Sequence, residues 1–232
     1  MKETEFKEKA LALGLELNET QLKQYRDYIA LLKLWNQKMN LTAIDDEKGI
    51  YLKHFYDSLL SIKYVKYEGT LADVGSGAGF PGLVLKIAYP ELKVDLIEPI
   101  KKRCTFLKEV IETLDLKDVE VINERSEDLA KMKREKYDIV TARAVADLSV
   151  LSELCAPLVK VKGLFIALKG QKAKEETKQA LEAFKKLGLS LDAIEEIDLD
   201  KENKRSIVIL KKVGKCPKKY PRPYAEIKRK AL

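Results

Sequence analysis

The chain has 232 residues, 46% of them apolar, enough for one large core or for a domain with an extension. No run of about 18 apolar residues occurs, the N-terminal MKETEFKEKALALG lacks the apolar segment of a signal peptide, and three scattered cysteines with one histidine exclude a disulfide framework and a zinc site. The formal net charge of +7 is concentrated at the C-terminus, and the expectation is a cytoplasmic, metal-free protein with no membrane partner.

In chain order, the first segment reads as helical. Asn18 and Gln21 have capping-box spacing, and Leu22, Tyr25, Ile29, Leu32, Trp35 and Met39 recur at helical spacing. A second helix is expected over residues 48–62, and together these form an N-terminal helical extension, residues 1–66. His54, Asp57 and Ser58 share that second helix. A hydrolase triad needs its serine on an exposed turn, and no G-x-S-x-G occurs, so a structural hydrogen-bonded cluster is expected instead.

From residue 70 strands and helices alternate. TLADV, VDLIE, VEVIN, YDIVTA and LFIALK are short apolar runs suited to buried parallel strands, separated by helical segments. At the end LSLDAIEEI and RSIVILKK form a hairpin. The pattern predicts an α/β, Rossmann-like sheet, mostly parallel with an antiparallel C-terminal hairpin strand, over residues 67–213. A dinucleotide fold would continue with a second βαβαβ half.

LADVGSGAGFPG follows the first strand. Gly77, Gly79 and Gly82 fit the dinucleotide fingerprint, while Gly75, Gly77 and Gly79 make a G-x-G-x-G run. Asp73 would repel a pyrophosphate and suits a cation such as an α-ammonium group, directly or through water. Pro81 is compatible with a first-turn position in the following helix. Glu98, ending the next strand, stands where a ribose-binding acid belongs. Acid, loop, second acid and hairpin-ended sheet together point to S-adenosylmethionine rather than NAD.

Ser126 and Glu127 follow the third strand, where adenine is met in such folds; Ser126 also reads as a helix N-cap. Arg143 follows the fourth strand at the catalytic edge, to orient cofactor or to bind substrate phosphate with its planar fork. Lys169 ends the fifth strand, either on phosphate or in solvent. Lys101, Lys102 and Arg103, opening the helix after Glu98, read chiefly as surface charge, with contact to RNA as the lesser reading.

Residues 211–232 hold nine Lys or Arg and one acid, while the rest of the chain carries 35 basic and 36 acidic residues. A basic C-terminal tail, residues 214–232, with Lys218, Lys219 and Arg222, suits RNA phosphates. Tyr220 and Tyr224 can stack or stiffen it; the plainer reading is a solvated terminus.

WNQKMNLTAI, KHFYDSL, DVGSGAGFPG, KKRCTFL, YDIVTARAVA, LSELCAPLVK and PKKYPR, in this order along nearly the whole chain, resemble the bacterial small-subunit (16S) ribosomal RNA guanine-N7 methyltransferases, the glucose-inhibited division protein B family. The resemblance implies methyl transfer from S-adenosylmethionine to guanine N7. It carries cofactor contacts to Gly75, Phe80, Ser126, Glu127 and Arg143, and Arg143 is the residue expected at the catalytic step. Ribosomal RNA or the small ribosomal subunit is the implied partner, with the enzyme acting as a monomer. Phe80 or a tail tyrosine is a candidate to stack on the target base. The rival readings are an NAD-dependent oxidoreductase, a non-catalytic RNA-binding protein and a small-molecule methyltransferase.

Overall fold

The structure, a computed structural model, describes residues 1–66, 68–143, 145–200 and 203–232. Tyr67, where the sheet-bearing part was expected to begin, and Ala144 of the TARAVA stretch lie outside them.

Helices α1 (Glu3–Ala12) and α2 (Glu19–Asn36) come first. The capping box forms: Gln21 N–H donates to Asn18 Oδ1 at 2.9 Å and Asn18 N–H to Gln21 Oε1 at 3.0 Å, satisfying two donors that a helix start otherwise leaves unpaired. The expected apolar stripe runs inward only to Leu32. Trp35 is half-buried, and Met39 lies beyond the helix, because the Asn36 side chain ends it by accepting the N–H groups of Leu41 and Thr42.

The helix expected over 48–62 is composite. It runs through α3 (Glu47–Ile50), a π-helical stretch (Tyr51–Tyr56) and α4 (Asp57–Leu59), and a 3₁₀ turn follows. π-turns recur where a helix serves a functional site, and this one carries His54.

Alternation then begins: β1 (Gly69–Val74), α5 (Gly82–Ala88), β2 (Leu92–Ile97), α6 (Lys101–Thr113), β3 (Val119–Ile122), α7 (Ser126–Met132), β4 (Tyr137–Arg143), α8 (Leu148–Cys155), β5 (Val159–Lys169), α9 (Ala173–Leu187), the hairpin β6 (Leu189–Asp198) and β7 (Lys204–Lys212), and finally α10 (Tyr224–Arg229). The sheet order is β3-β2-β1-β4-β5-β7-β6. β1 to β5 are parallel; β7 enters antiparallel between β5 and β6.

Alternate residues of the strands feed two cores. Leu71, Leu96, Ile166 and Ile209 face one side, where α1, α2, α5 and α6 pack; Ala72, Ile97, Phe165 and Val208 face the other, covered by α7, α8 and α9. The N-terminal helices are therefore welded to the sheet through Phe6, Tyr25, Tyr28, Tyr51 and Phe55, all fully buried, each such ring contributing about 1.5–3 kcal/mol of burial.

The tail is part of the second core. Cys216, Tyr220 and Ile227 are buried in it. Arg134 donates to the carbonyls of Cys216, Pro217 and Tyr220 at 2.8–2.9 Å, and Arg222 grips the fully buried Glu153 with Nε at 2.8 Å and Nη2 at 2.6 Å. Lys212, counted with the basic tail, is itself buried, donating to the carbonyls of Ala156 and Leu187. Two of the nine basic residues, Lys212 and Arg222, are thus engaged internally, while the other seven are exposed.

Candidate active site

Parallel sheets of this kind offer ligands a crevice at the carboxyl ends of their strands, and the glycine loop forms its floor. Gly75 and Ser76 donate backbone N–H groups to Ile97 O at 2.9 and 3.2 Å, tying the loop across to β2. The loop glycines divide by task. Gly79 has φ +91°, and a Cβ there would stand 2.4 Å from Tyr28 Oη and 2.6 Å from Leu83 Cδ1. Gly77 has φ +59° and open space around it, the nearest atom being 3.8 Å away. Gly79 is a packing glycine, whereas Gly77 leaves room for a ligand to approach the backbone. At Gly75, φ +71°, a Cβ would meet Val145 at 2.7 Å.

The acids flank the loop at different depths. Glu98 is almost wholly buried just past β2; its Oε2 accepts the Gly77 N–H at 2.9 Å and its Oε1 the Ile100 N–H at 2.8 Å. Asp73 lies beneath the loop, fully buried, accepting Gly82 N–H at 3.0 Å and the Thr141 hydroxyl at 3.1 Å. Burial pushes its pKa up to about 6. A direct contact between Asp73 and an ammonium group is therefore corrected: the carboxylate pins loop to helix and faces no open space. Pro81 likewise sits at the N-cap of α5, one residue ahead of the expected first turn.

Ser126 and Glu127 open α7, both buried; the N-cap is Arg125 rather than Ser126. First-turn N–H groups have no partner within a helix, so this end presents donors beside two acids. Arg125 faces the Tyr224 ring at 5.5 Å, which joins the tail to this corner.

On the other side stands the N-terminal layer. Phe80 is buried, near-parallel to His54 at 4.5 Å and to Tyr28 at 5.6 Å, with the Arg143 guanidinium 4.9 Å from its centroid. No face of Phe80 is left for a nucleobase, which corrects the stacking role considered for it; buried Tyr220 is excluded for the same reason. His54 Nε2 lies 2.8 Å from Thr42 Oγ1, and burial, with the Arg143 charge, lowers its pKa to about 3, so the ring is neutral.

Arg143 reaches from β4 to the cap, donating to Asp57 Oδ2 at 3.1 Å and Lys53 O at 3.2 Å, with Nη2 3.3 Å from His54 Nδ1. The other Asp57 oxygen accepts Arg205 Nε at 3.1 Å. Ser58 donates to His54 O at 2.6 Å, so the helix trio is a hydrogen-bonded cluster packed on the loop. Sequence reading missed Arg205, the second residue of β7 and part of no motif, and Thr141. A cleft of about 510 Å³ opens here, lined by Lys53, His54, Asp57, Arg143, Lys169 and Arg205 among others.

Lys169 is turned inward: Nζ is 2.7 Å from Glu176 Oε2 and donates to Ala146 O at 2.8 Å. Lys218 and Lys219 are exposed, whereas Arg222 is committed to Glu153.

A hairpin-ended parallel sheet, with a glycine cradle between acids at its carboxyl edge, defines the Rossmann-like S-adenosylmethionine-dependent methyltransferases. The fold is similar to that of M. jannaschii TYW2 in complex with AdoMet, with a TM-score of 0.58 at 16% identity over 73% of this chain and 79% of that one. The GidB family model, rRNA small subunit methyltransferase G, matches residues 21–208, and this chain belongs to that family. Relatives bearing the name ribosomal RNA small subunit methyltransferase G are 49% identical in Halalkalibacterium halodurans, over 96% of this chain and 95% of the relative, and 49% identical in Listeria monocytogenes, over 90% of each. S-adenosylmethionine is the methyl donor, and the NAD alternative is set aside.

Proposed function

We propose that this chain methylates N7 of a guanine in small-subunit ribosomal RNA. What supports the reading is the cradle: Glu98 holds the Gly77 amide where open space lies over the backbone, Glu127 stands in the first turn of α7, and Asp73, buried beneath the loop, fixes it to α5, an acidic setting that suits an uncharged ribose and adenine and a cationic amino-acid end better than a pyrophosphate. When bound, S-adenosylmethionine supplies an electrophilic methyl on a sulfonium. Gly77 lets the backbone approach the donor, Glu98 accepts from the ribose, and the start of α7 with Ser126 and Glu127 borders the adenine. Arg143, held by Asp57 and the His54–Phe80 stack, fixes the edge where base meets methyl.

Guanine N7 offers an in-plane lone pair and no proton to remove, so the chain needs no general base. The neutral His54 and the doubly paired Asp57 agree with that requirement. Alignment of nitrogen, methyl carbon and sulfur is the main task, and such positioning is worth about 7–11 kcal/mol. Lys218 and Lys219 are proposed phosphate contacts on the tail; Lys169 and Arg222, already paired internally, can join them only by leaving their carboxylates. The same reading has the enzyme working in the cytoplasm as a monomer.

Incubating purified protein with labelled donor and with naked ribosomal RNA or small subunits, then mapping the labelled nucleotide, tests it. Label at a guanine N7 of the small-subunit RNA is expected; label elsewhere, or none, overturns it.

A further inference from the structure

We propose that the slot between the end of α2 and the start of α6 is a docking site for an unpaired base and its phosphates, placed beside the reaction edge; this rests on ribosomal RNA being the substrate. The slot, about 290 Å³, is lined by Trp35, Lys38, Met39, Lys102 and Thr105. Trp35 is the only tryptophan of the chain. The other large rings on α2, Tyr25 and Tyr28, are fully buried. Trp35 instead stays half-buried, meeting Phe106 edge-on at 5.7 Å while Lys38 Nζ stands 5.9 Å from its ring centroid. Lys38, Lys102 and Thr105 are exposed. A half-covered indole between a lysine of the turn after α2 and a lysine of α6 is the combination that holds single-stranded RNA, one element stacking on a base and the others neutralising its phosphates.

Both walls of the slot are attached to the cofactor loop. On one side, the first turn of α6 reaches back through Arg103, whose Nη1 is 3.7 Å from Glu98 Oε2, the atom that accepts the Gly77 N–H. On the other, Asn36 fixes the Leu41–Thr42 turn, and Thr42 Oγ1 meets His54, which stacks on Phe80. RNA seated in the slot is therefore held by the two elements that frame the glycine loop. The slot lies on the α2 and α6 layer, and the basic tail packs into the opposite layer, so substrate RNA spans the carboxyl edge between them.

The lone tryptophan makes the test direct. Titrating the full-length protein with small-subunit ribosomal RNA should quench Trp35 fluorescence, and S-adenosylhomocysteine alone should not. Lys38→Glu/Lys102→Glu should weaken RNA binding about tenfold or more, flatten the dependence of log Kd on log salt by about 1.4–1.8 units, and raise KM for RNA with kcat and donor affinity unchanged. Trp35→Ala should lose about tenfold in RNA affinity and Trp35→Phe should recover most of it; the double reversal touches only exposed lysines and guards against a misfolded Trp35→Ala. RNA that leaves the fluorescence unmoved while the wild type methylates overturns the docking site alone. So does a double reversal that binds RNA as the wild type does, or one impaired on assembled subunits but not on naked RNA, which would make the patch a protein contact. A wild type that transfers no methyl to ribosomal RNA removes the functional reading and the docking site with it.

Discussion

Replacing Arg222 by alanine asks whether the C-terminal tail is a structural strap or a hand for RNA. Glu153 has no solvent exposure, and its carboxylate is met by Arg222 Nε at 2.8 Å, Nη2 at 2.6 Å and the Arg222 backbone N–H at 2.9 Å. The alanine variant keeps only the backbone donor and leaves a buried carboxylate without this cation. Breaking a buried pair from one side costs about 3–5 kcal/mol, because the remaining charge is left desolvated. For a domain of this size that corresponds to a fall in Tm of roughly 6–20 °C. Urea denaturation followed by far-ultraviolet circular dichroism measures it, with a midpoint shift at unchanged slope as the expected form. Arg222→Lys should recover only part, since an ammonium cannot reproduce the two-pronged grip. A loss below about 1 kcal/mol, accompanied by weaker RNA binding and a salt slope reduced by about 1 unit, would refute the structural assignment and restore Arg222 to the RNA.

Three further outcomes follow from the site. Gly79→Ala should destabilise the fold, its Cβ falling 2.4 Å from Tyr28 Oη, whereas Gly77→Ala, with open space around it, should spare more stability and instead weaken S-adenosylmethionine binding in calorimetry; equal effects of the two on donor affinity would contradict the division. The one imidazole should give a single set of ring signals in NMR with no titration between pH 5 and 8, because its pKa is lowered to about 3; a midpoint near 6.5 would show that His54 is solvated. Asp73 holds its proton to pH about 6 in the folded chain but releases it at its ordinary value of 3.8 when unfolded. The folded state therefore binds the extra proton in that window, and the stability it confers is lost as pH rises through it, by about 3 kcal/mol at most. The stability difference between wild type and Asp73→Asn should shrink correspondingly from pH 4 to 6, and a flat difference would sink the assignment.

Where structure is set by neighbours along the chain, it was legible. Buried parallel strands must be short apolar runs, the Asn18–Gln21 box announces its helix, and the final hairpin told a methyltransferase sheet from a dinucleotide one. Ser126 shows the limit of local rules: it has N-cap chemistry, yet Arg125 holds that position and Ser126 begins α7. Partners set by tertiary placement were out of reach. Arg205 and Asp57 are 148 residues apart, and Arg222 and Glu153 are 69 apart, and no spacing encodes either pair. Summing charge along the tail overcounts its free cations by two for the same reason: Arg222 has its counter-charge in α8, and Lys212 donates to the carbonyls of Ala156 and Leu187.

The two arginines that meet on Asp57 come from β4 and β7, and the carboxylate itself from the N-terminal layer. That edge of the reaction centre is consequently a joint between early, middle and late parts of the polypeptide. A nascent or clipped chain ending before residue 205 can possess the whole glycine cradle and still lack one of the joint's two struts. The joint therefore closes only once nearly the whole polypeptide has been made.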